Sequence, residues 1–377
     1  MNVMIVVTHL LGTGHLARAL TLARAFDAAG DATCVVSGGM PAPLLTKNGD
    51  KLVQLPPLRS DGVNFSRLLT SEDTVATPDY LAAREDTLLC ALAAFRPDIL
   101  ITELFPFGRR ILRDEFRALL DAAKDMQKPP LICASVRDIL APPSKPQKAA
   151  FADEMVSAYY DSVLVHSDEK FTSLDTSWPV SSTLRAKLNY TGYVTPTAVG
   201  PHPDKVGADE VIVSAGGGDV GGPIYEAAMT AAAQIKKPMR ILVGGANPDD
   251  RINALRKTAP PDVIVEPARP DFRQMLHHAA ASVSLCGYNT ALDILQAGTP
   301  AVFIPFDEGG EVEQGLRASA LSAQDGIRML LRADLTAQNL CTAIDAVIAE
   351  PRRNRSLVRF DGAARTVAVT HAQRRQQ

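Results

Sequence analysis

Short apolar runs rich in β-branched residues alternate with helical patterns along this chain, and few folds accommodate that order. Such runs are typical of strands buried on both faces of a sheet, and helices between successive strands place those strands parallel. In the first part of the chain the predicted strands are 3–8, 32–38, 98–104, 131–138 and 162–168. The predicted helices begin near His15, with Gly30 ending the first of them, and continue at 78–95, 109–125 and 147–160.

The same alternation restarts after a segment rich in Pro and Gly. Further strands are predicted at 211–217, 240–246, 263–268, 281–287 and 300–306, and helices from about 221 and 248 and over 271–280 and 289–297. The pattern predicts an α/β protein with two doubly wound domains, whose ligands bind beyond the carboxyl ends of the strands, in the cleft between the domains. The predicted boundaries are 1–195, a linker at 196–209, 210–350, and a basic helix or tail at 351–377.

The composition disfavours two classes of protein. Hydrophobic residues make up 46% of the chain, which is too many for a disordered protein. Lys and Arg number 39 against 42 Asp and Glu, so a basic nucleic-acid-binding protein is not expected. The segment from Pro351 onward is the exception, with seven Arg and Asp361 as its acid. It is typical of a solvated end, and weak contact with anionic lipid or phosphate is the alternative.

The cysteines and the N-terminus favour a reducing compartment. The five cysteines have no CxxC spacing and lie mostly in apolar runs, which predicts buried thiols and neither disulfides nor a zinc site. The N-terminal segment lacks a basic region and a cleavage-site pattern, and its apolar run is too short to span a bilayer. We therefore expect a cytoplasmic enzyme or binding protein.

Two predicted strands run directly into glycine-rich turns that open helices. One turn contains Gly12 and Gly14, and a denser one spans 216–222. Glycine lets backbone N–H groups approach an anion, and the positive end of the helix dipole favours its charge. The alternative is a tight turn that binds no ligand, and the sequence favours this alternative more for the first turn than for the second. Neither turn is a P-loop or a full dinucleotide fingerprint, so an NAD-type oxidoreductase is a disfavoured alternative.

The segment 284–318 carries the most specific pattern. Gly287 ends a strand, Thr290 falls in the next helical turn, and Asp293 follows on the same helical face. A hydroxyl there can bind phosphate, and a carboxylate can accept hydrogen bonds from the diol of a ribose. The structural alternative is that Thr290 caps the helix and Asp293 complements its dipole.

This arrangement resembles glycosyltransferase family 28, the GT-B enzymes that add N-acetylglucosamine to the lipid-linked peptidoglycan precursor. The resemblance covers most of the chain and is strongest at 281–318. Its Gly-x-x-Thr-x-x-acid, Ala-Gly-x-Pro, Pro-Phe and Gln motifs are matched by Gly287, Thr290, Asp293, Ala297, Gly298, Pro300, Pro305, Phe306 and Gln314. The turn 12–15 matches the family's Gly-Thr-Gly-Gly-His with one glycine fewer. Three departures are Asp293 in place of Glu, Gly218 in place of Ser, and Glu313 in place of Gln. Branch-specific segments such as ITELFPFGRR point to a less characterised branch.

The resemblance implies a GT-B fold, with two Rossmann-like domains across a cleft, and a nucleoside-diphosphate sugar donor, most simply a UDP-sugar. It assigns the donor to residues of the second domain: Gly216, Gly217, Gly218, Gly221, Arg269, Phe272, Gly287, Asn289, Thr290, Asp293, Glu313 and Gln314. It implies an inverting transferase of the hexosyl type without metal or cofactor, acting in polysaccharide or cell-envelope synthesis. The acceptor would be a hydroxyl on a glycan, a lipid-linked compound or a small molecule.

His15 and Glu103 are the catalytic candidates. His15 begins a helix, whose positive end favours the neutral imidazole that a base requires, and Glu103 ends a predicted strand. The acceptor candidates are Gly12, Thr13, Gly14, Arg109, Arg110 and Arg137. An active-site wall or a membrane contact would explain the apolar and basic run at 104–112, so peripheral contact with the inner face of the membrane is an expectation. A packing role for His15 and a salt bridge for Glu103 are the structural alternatives.

Three other functions fit the same residues. The turn at 12–18 also resembles nucleotide-sugar hydrolases, in which the histidine activates water. An epimerase of the GT-B type and a sugar-nucleotide-binding protein without catalysis are the other two alternatives.

Overall fold

The computed structural model divides the chain into two compact units. It describes residues 1–377 except 11, 44, 47–48, 61–66, 217–219, 246, 309–310 and 355–357. Unit 1 comprises Met1–Pro196 and Arg359–Gln377, and unit 2 comprises Thr197–Val358. Each unit is built around its own parallel sheet.

Strands and helices alternate through most of both units. The strands are β1 (Asn2–Val7), β2 (Ala32–Ser37), β3 (Leu52–Gln54), β4 (Arg59–Ser60), β5 (Leu68–Leu69), β6 (Ile99–Glu103), β7 (Leu131–Arg137), β8 (Ser162–His166), β9 (Leu188–Tyr190), β10 (Val211–Ser214), β11 (Met239–Val243), β12 (Val263–Pro267), β13 (Ala281–Ser284), β14 (Ala301–Phe303) and β15 (Ile327–Met329). The helices are α1 (Gly14–Ala28), α2 (Pro78–Phe95), α3 (Arg113–Lys124), α4 (Pro146–Tyr159), α5 (Ser182–Arg185), α6 (Gly222–Ala231), α7 (Pro248–Arg256), α8 (Phe272–Met275), α9 (Tyr288–Ala297), α10 (Glu313–Leu321), α11 (Ala337–Ala349) and α12 (Gly362–Gln376).

The sheet of unit 1 has the order β3-β2-β1-β6-β7-β8-β9, with parallel neighbours throughout. Alternate residues of β1 enter different cores, because successive side chains of a strand point to opposite faces. Val3, Ile5 and Val7 pack with α1 and Val367 of α12, whereas Met4 and Val6 pack with the α2, α3 and α4 side. The central strands are therefore buried on both faces, as their apolar runs predict.

The sheet of unit 2 has the order β12-β11-β10-β13-β14-β15, again parallel between neighbours. Val211 and Val213 of β10 belong to a core that includes residues of α6 and α11, and Ile212 packs on the other face with Met275. The fold class expected from the sequence is confirmed: each unit is a doubly wound α/β sheet.

In both sheets the strand order reverses beside the first strand of the unit. β1 lies between β2 and β6, and β10 lies between β11 and β13. The loops that leave such neighbouring strands diverge and open a crevice at their carboxyl ends, which is where ligands of this fold class bind. The sequence candidates after β1, β6, β10 and β13 lie at these two switch points.

The arginine-rich end of the chain, expected as a solvated tail, forms a helix that packs on unit 1. α12 lies against α1, and its Thr366 and Thr370 are fully buried. His371 Nε2 lies 2.7 Å from Asp31 Oδ2. Arg375 is exposed at the end of α12, whereas Arg374 is only 9% exposed and donates to the Pro129 carbonyl at 2.9 Å.

Candidate active site

His15 and Glu103 meet at the switch point of unit 1. β1 and β6 are hydrogen-bonded neighbours, α1 begins shortly after β1, and Glu103 is the last residue of β6. His15 Nδ1 lies 2.8 Å from Glu103 Oε1. The two residues lie 88 positions apart in sequence, and the parallel register of the two strands brings them together.

The Glu103 carboxylate is held by three donors. Oε1 is shared by His15 and the Arg18 guanidinium, and Oε2 accepts a hydrogen bond of 2.6 Å from the Ser135 hydroxyl. An ionised carboxylate only accepts, so the contact with Oε1 places the His15 proton on Nδ1, which donates a hydrogen bond to Oε1. Arg18 Nη2 lies 3.1 Å from the same nitrogen, but a protonated Nδ1 does not accept, so Arg18 donates to Glu103 Oε1. Among the described residues, no hydrogen bond engages the other ring nitrogen, Nε2. The His15 side chain keeps 12% exposure, whereas Glu103 keeps 1%.

Burial and charge set the protonation of this pair. Burial lowers the pKa of His15 to about 3, although its hydrogen bond to Glu103 acts in the opposite direction. Burial by itself would raise the pKa of Glu103, but the Arg18 guanidinium and the hydrogen bond from His15 bring it below its ordinary value. At neutral pH the site therefore holds a neutral imidazole backed by a carboxylate. The pair is suited to accept a proton at Nε2.

Two of the three arginines predicted for the acceptor, Arg109 and Arg137, lie near the His15–Glu103 pair. Arg109 Nε donates to the Thr8 carbonyl at 2.6 Å, and burial lowers the pKa of Arg109 to about 10. The charge of Arg137 lowers the pKa of His15, so its guanidinium is also close to the ring. Arg110 donates to the Phe107 carbonyl, and burial lowers the pKa of Arg110.

The start of α1 is open beside His15. A Cβ added at Gly12 or Gly14 would meet no described atom within 4 Å, and Gly12 has a φ of +51°. No side chain of the described residues caps this helix end, whose N-cap residue is Thr13. Its first N–H groups are therefore available to an acidic or hydroxyl group.

The corresponding turn of unit 2 follows β10. Gly216 has a φ of +70°, and a Cβ there would meet no atom of the described residues within 4 Å. At Gly221 a Cβ would lie 2.5 Å from the Cβ of Ala215 and 2.6 Å from the Tyr225 ring, so only glycine fits this contact between turn and helix. Gly217 and Gly218, which the sequence predicts for the diphosphate, lie outside the described residues.

Helix α9 follows β13, the strand beside β10. Gly287 is its N-cap residue, and no side chain of the described residues caps the helix start. Asn289 is exposed and Thr290 half-buried in the first turn. Uncapped N–H groups and the Thr290 hydroxyl together form a surface suited to phosphate.

Asp293 lies one turn further along α9 and carries a partner that the sequence reasoning did not anticipate. Arg273 Nε donates to Asp293 Oδ1 at 2.9 Å, and Arg273 Nη2 lies 2.6 Å from Gln296 Oε1. No described residue hydrogen-bonds to the other oxygen, Oδ2, and the side chain keeps 17% exposure. Burial raises the pKa of Asp293 to about 6, against the lowering effect of Arg273.

The remaining donor candidates have local roles. Arg269 forms hydrogen bonds of 2.8 and 2.6 Å to Asp271, and Phe272 packs against the small core around Ile212 and Met275. Gln314 Oε1 accepts from the Phe306 backbone N–H at 3.3 Å. The N–H of Glu313, the first residue of α10, donates to Glu311 Oε1 at 2.7 Å.

Arg317 is a further residue that the sequence reasoning did not assign. Its side chain is 2% exposed, and its Nη1 donates to the Cys286 carbonyl at 3.0 Å, directly before α9. A buried guanidinium at this point adds positive charge behind the helix start. A polar residue on the buried face of α10 is the signal that could have identified it.

The described residues contain no cluster of three or more His, Cys, Asp or Glu side chains that could hold a metal ion. None of their helices is long and apolar enough to cross a membrane.

The clearest match to a known protein family lies in the second half of the chain. The glycosyltransferase family 28 C-terminal domain matches residues 223–364. A relative from Agrobacterium fabrum (strain C58 / ATCC 33970), named UDP-N-acetylglucosamine--N-acetylmuramyl-(pentapeptide) pyrophosphoryl-undecaprenol N-acetylglucosamine transferase, is 25% identical over 162 residues. A Corynebacterium efficiens protein of the same name is 32% identical over 117 residues. The matches cover 41% and 30% of this chain and 42% and 31% of the two relatives, so the chain spans less than half of their lengths.

Solved structures resemble the whole chain. The alignment with a crystal structure of Acinetobacter baumannii MurG covers 100% of this chain and 95% of the MurG chain, with a TM-score of 0.61 and 15% identity. The calicheamicin glycosyltransferase CalG4 covers 99% and 96%, with a TM-score of 0.64 and 16% identity. Arabidopsis thaliana UGT89C1, complexed with UDP, covers 98% and 99%, with a TM-score of 0.63 and 12% identity. The protein therefore has the GT-B fold and resembles glycosyltransferase family 28, whose C-terminal domain its residues 223–364 match.

Proposed function

We propose that this protein is a metal-independent, inverting glycosyltransferase that moves a sugar from a UDP-sugar to an acceptor hydroxyl. The observation that carries the proposal is the buried His15–Glu103 pair at the switch point of unit 1. It occurs in a chain whose second half matches a glycosyltransferase domain. Both curated relatives are named for transfer from UDP-N-acetylglucosamine, which makes that compound the first donor to test.

In the proposed reaction Nε2 of His15 takes the proton of the acceptor hydroxyl. The acceptor oxygen forms its bond to the anomeric carbon on the face opposite the nucleotide. The bond from that carbon to the diphosphate oxygen breaks, and its electron pair leaves with the diphosphate. One displacement inverts the anomeric centre, and the Glu103 carboxylate stabilises the imidazolium that forms.

The donor is assigned to the switch point of unit 2. The starts of α6 and α9, which no described side chain caps, would bind the diphosphate with Thr290, Gly216 and Gly221 and stabilise its growing charge. Asp293 Oδ2 would accept from a ribose hydroxyl. Glu313 and Gln314 are assigned to the sugar, and Arg269 and Phe272 to the base.

The acceptor is assigned to the surroundings of His15. Arg109 beside Glu103 and Arg137 beside His15 place positive charge near this pair, which suits an acceptor bearing phosphate or carboxylate. If the acceptor is lipid-linked, the protein works in the cytoplasm at the inner face of the membrane. Ile111, which is 39% exposed beside Arg110 and Arg113, would take part in peripheral contact.

The test measures UDP release from UDP-N-acetylglucosamine with a panel of hydroxyl acceptors that includes lipid-linked saccharides. We expect His15→Ala to lower kcat by about 10²–10⁴-fold, as removal of a general base does. We expect Asp293→Ala to raise the donor KM. The matched control is His278→Gln, an exposed histidine of unit 2, which should leave both constants unchanged.

Full activity in the His15→Ala variant, or unchanged donor affinity in Asp293→Ala, would overturn these assignments. The same assay without acceptor separates the alternatives. Release of free sugar indicates a hydrolase, and formation of an epimeric UDP-sugar indicates an epimerase. Binding of UDP without any turnover indicates a sugar-nucleotide-binding protein.

A further inference from the structure

A chain of buried hydrogen bonds continues from Glu103 away from His15. Ser135 Oγ lies 2.6 Å from Glu103 Oε2 and 2.9 Å from His166 Nε2, and His166 Nδ1 lies 2.8 Å from Thr191 Oγ1. Glu103, Ser135 and His166 lie at or near the carboxyl ends of the adjacent strands β6, β7 and β8, and Thr191 follows β9. The parallel sheet thus sets these side chains in one row.

The chemistry of each group fixes the direction of these hydrogen bonds. Glu103 only accepts, so the single hydroxyl hydrogen of Ser135 points to it. Ser135 Oγ must then accept from His166, which places the His166 proton on Nε2. Nδ1 of a neutral imidazole accepts, so Thr191 donates to it, and this contact is shorter than those from Thr191 Oγ1 to the Gly192 and Val165 carbonyls. Every hydrogen in the row points toward Glu103.

The row is buried, and its groups are neutral apart from the Glu103 end. Ser135, His166 and Thr191 have no exposed surface. Burial lowers the pKa of His166 to about 3, and the charge of Arg18 acts in the same direction. A buried network of this kind, with each member paired, holds its groups in one arrangement more strictly than solvated contacts do.

We propose that Ser135 and His166 are positioning residues for His15, because they hold the Glu103 carboxylate in the orientation that keeps the His15 proton on Nδ1. The lone pair of Nε2 then stays directed at the acceptor hydroxyl. This inference rests on the proposed function, since it assigns the reacting nitrogen. In this proposal neither Ser135 nor His166 contacts substrate. His166 acts through Ser135, and Ser135 acts through Glu103.

The central variant is Ser135→Ala, which removes one oxygen atom from the row. Glu103 then loses one hydrogen-bond donor, so the negative charge of its carboxylate is less compensated. That charge stabilises the imidazolium of His15 more strongly and raises the pKa of His15. The charged groups around that ring are Glu103, Arg18 and Arg137. We expect the acidic limb of the pH profile of kcat/KM to move to higher pH. We expect kcat to fall about tenfold, the size of one hydrogen bond to a charged group, with the donor KM unchanged.

The His166 variants separate positioning from packing. His166→Leu should reproduce the kinetic effect of Ser135→Ala, whereas His166→Gln, whose amide can still donate to Ser135, should restore most of kcat. The matched control is Ser162→Ala, which removes an equally buried hydroxyl at the other end of β8, where it accepts from Asn189 at 2.9 Å. That control should change neither kcat nor the pH profile.

A second readout does not depend on turnover. Nitrogen NMR of histidine-labelled protein, with His15 assigned from the His15→Ala spectrum, reports which ring nitrogen carries the proton. We expect a single Nδ1–H form in the wild type and in Ser162→Ala, and a mixture of forms in Ser135→Ala. If Ser135→Ala keeps both the single form and the wild-type pH profile, the positioning role is wrong. If the wild type shows this form but transfers no sugar, the proposed function fails while the positioning role stands.

Discussion

At the scale of single residues, Asp293 differs most from what its sequence position suggests. Its place on the first turns of α9 predicts a free carboxylate for a ribose, but Oδ1 is already bonded to Arg273 at 2.9 Å. Burial nevertheless raises the pKa of Asp293 to about 6. The carboxylate is therefore close to neutralisation at mildly acidic pH, and its charge is needed to accept hydrogen bonds from a diol.

This predicts a pH-dependent donor affinity. Above about pH 6 Asp293 is ionised and accepts from the ribose; below that pH it is protonated and the interaction weakens. We expect the Kd for UDP-N-acetylglucosamine to rise roughly tenfold between about pH 8 and pH 5, since one pH unit below a pKa leaves about a tenth of the group charged. Calorimetric titration measures this directly, with a donor whose diphosphate does not itself titrate in this range.

Asp293→Asn is the matched variant for that titration. It should bind the donor more weakly at high pH and show a flat pH dependence. A variant that retains the wild-type slope would mean that another group, and not Asp293, titrates with binding.

At the scale of elements, a buried ion pair joins α2 to α3. The Arg84 side chain has no exposed surface, and its Nε and Nη2 bond to the two carboxylate oxygens of Glu115 at 2.6 and 3.2 Å. Arg84 also donates to Thr8, which follows β1, and to the carbonyls of Gly38 and Pro56, which follow β2 and β3. A Cβ on Gly38 would lie 1.9 Å from the Arg84 guanidinium, which explains why glycine follows β2.

Removing either member of this pair should leave an unpaired buried charge. We expect Arg84→Met and Glu115→Met each to lower the free energy of unfolding of unit 1 by about 3–5 kcal/mol. Trp178, the single tryptophan of the chain, is 1% exposed within unit 1 and reports its urea unfolding by fluorescence. The double variant Arg84→Met/Glu115→Met should cost less than the sum of the single changes, because no lone charge remains.

An exposed pair provides the control for this measurement. Arg185 and Asp175 lie 2.7 Å apart with 58% and 44% exposure, so Arg185→Ala should change the free energy of unfolding by at most about 1 kcal/mol. Additive losses at Arg84 and Glu115 would contradict the predicted coupling.

The elements also show what the sequence could and could not predict. The central strands are recognisable because both faces are buried, so their apolar runs are continuous, as in β1 and β10. The edge strands β3 and β9 are half-buried three-residue segments without such a run, and neither was predicted. His15 and Glu103 could be found because each stands where a helix begins or a strand ends. Ser135 and His166 could not, since both fall inside the strands predicted at 131–138 and 162–168 and resemble ordinary strand residues there.

At the scale of the whole molecule, unit 1 is discontinuous in sequence. The chain leaves it after Pro196 and returns at Arg359. The two crossings lie side by side: the Tyr193 N–H donates to the Arg359 carbonyl at 2.8 Å, and the Gly362 N–H donates to the Tyr193 carbonyl at 3.1 Å. Gly192, with a φ of +86°, would bring a Cβ to 3.0 Å from the Arg359 carbonyl, so this contact requires glycine.

This arrangement predicts how fragments behave. Residues 1–196 alone lack α12 and expose the core face of α1, so their urea midpoint should fall well below that of the full chain. Residues 1–196 joined to 359–377 by a short glycine-rich linker should recover it, because the two crossing segments are neighbours in space. Trp178 fluorescence measures both. Equal midpoints for the two fragments would show that α12 contributes no stability to unit 1.

The return of the chain to unit 1 also sets an order of events during synthesis. The ribosome must add the 162 residues 197–358 before it reaches the segment that completes unit 1. At about 5–20 residues per second this interval lasts roughly 8 to 32 s. Throughout it, the unit made first lacks its last helix while the unit made second becomes complete. The N-terminal half of the protein therefore finishes folding last, and the surface that α12 later covers is open to chaperones in the meantime.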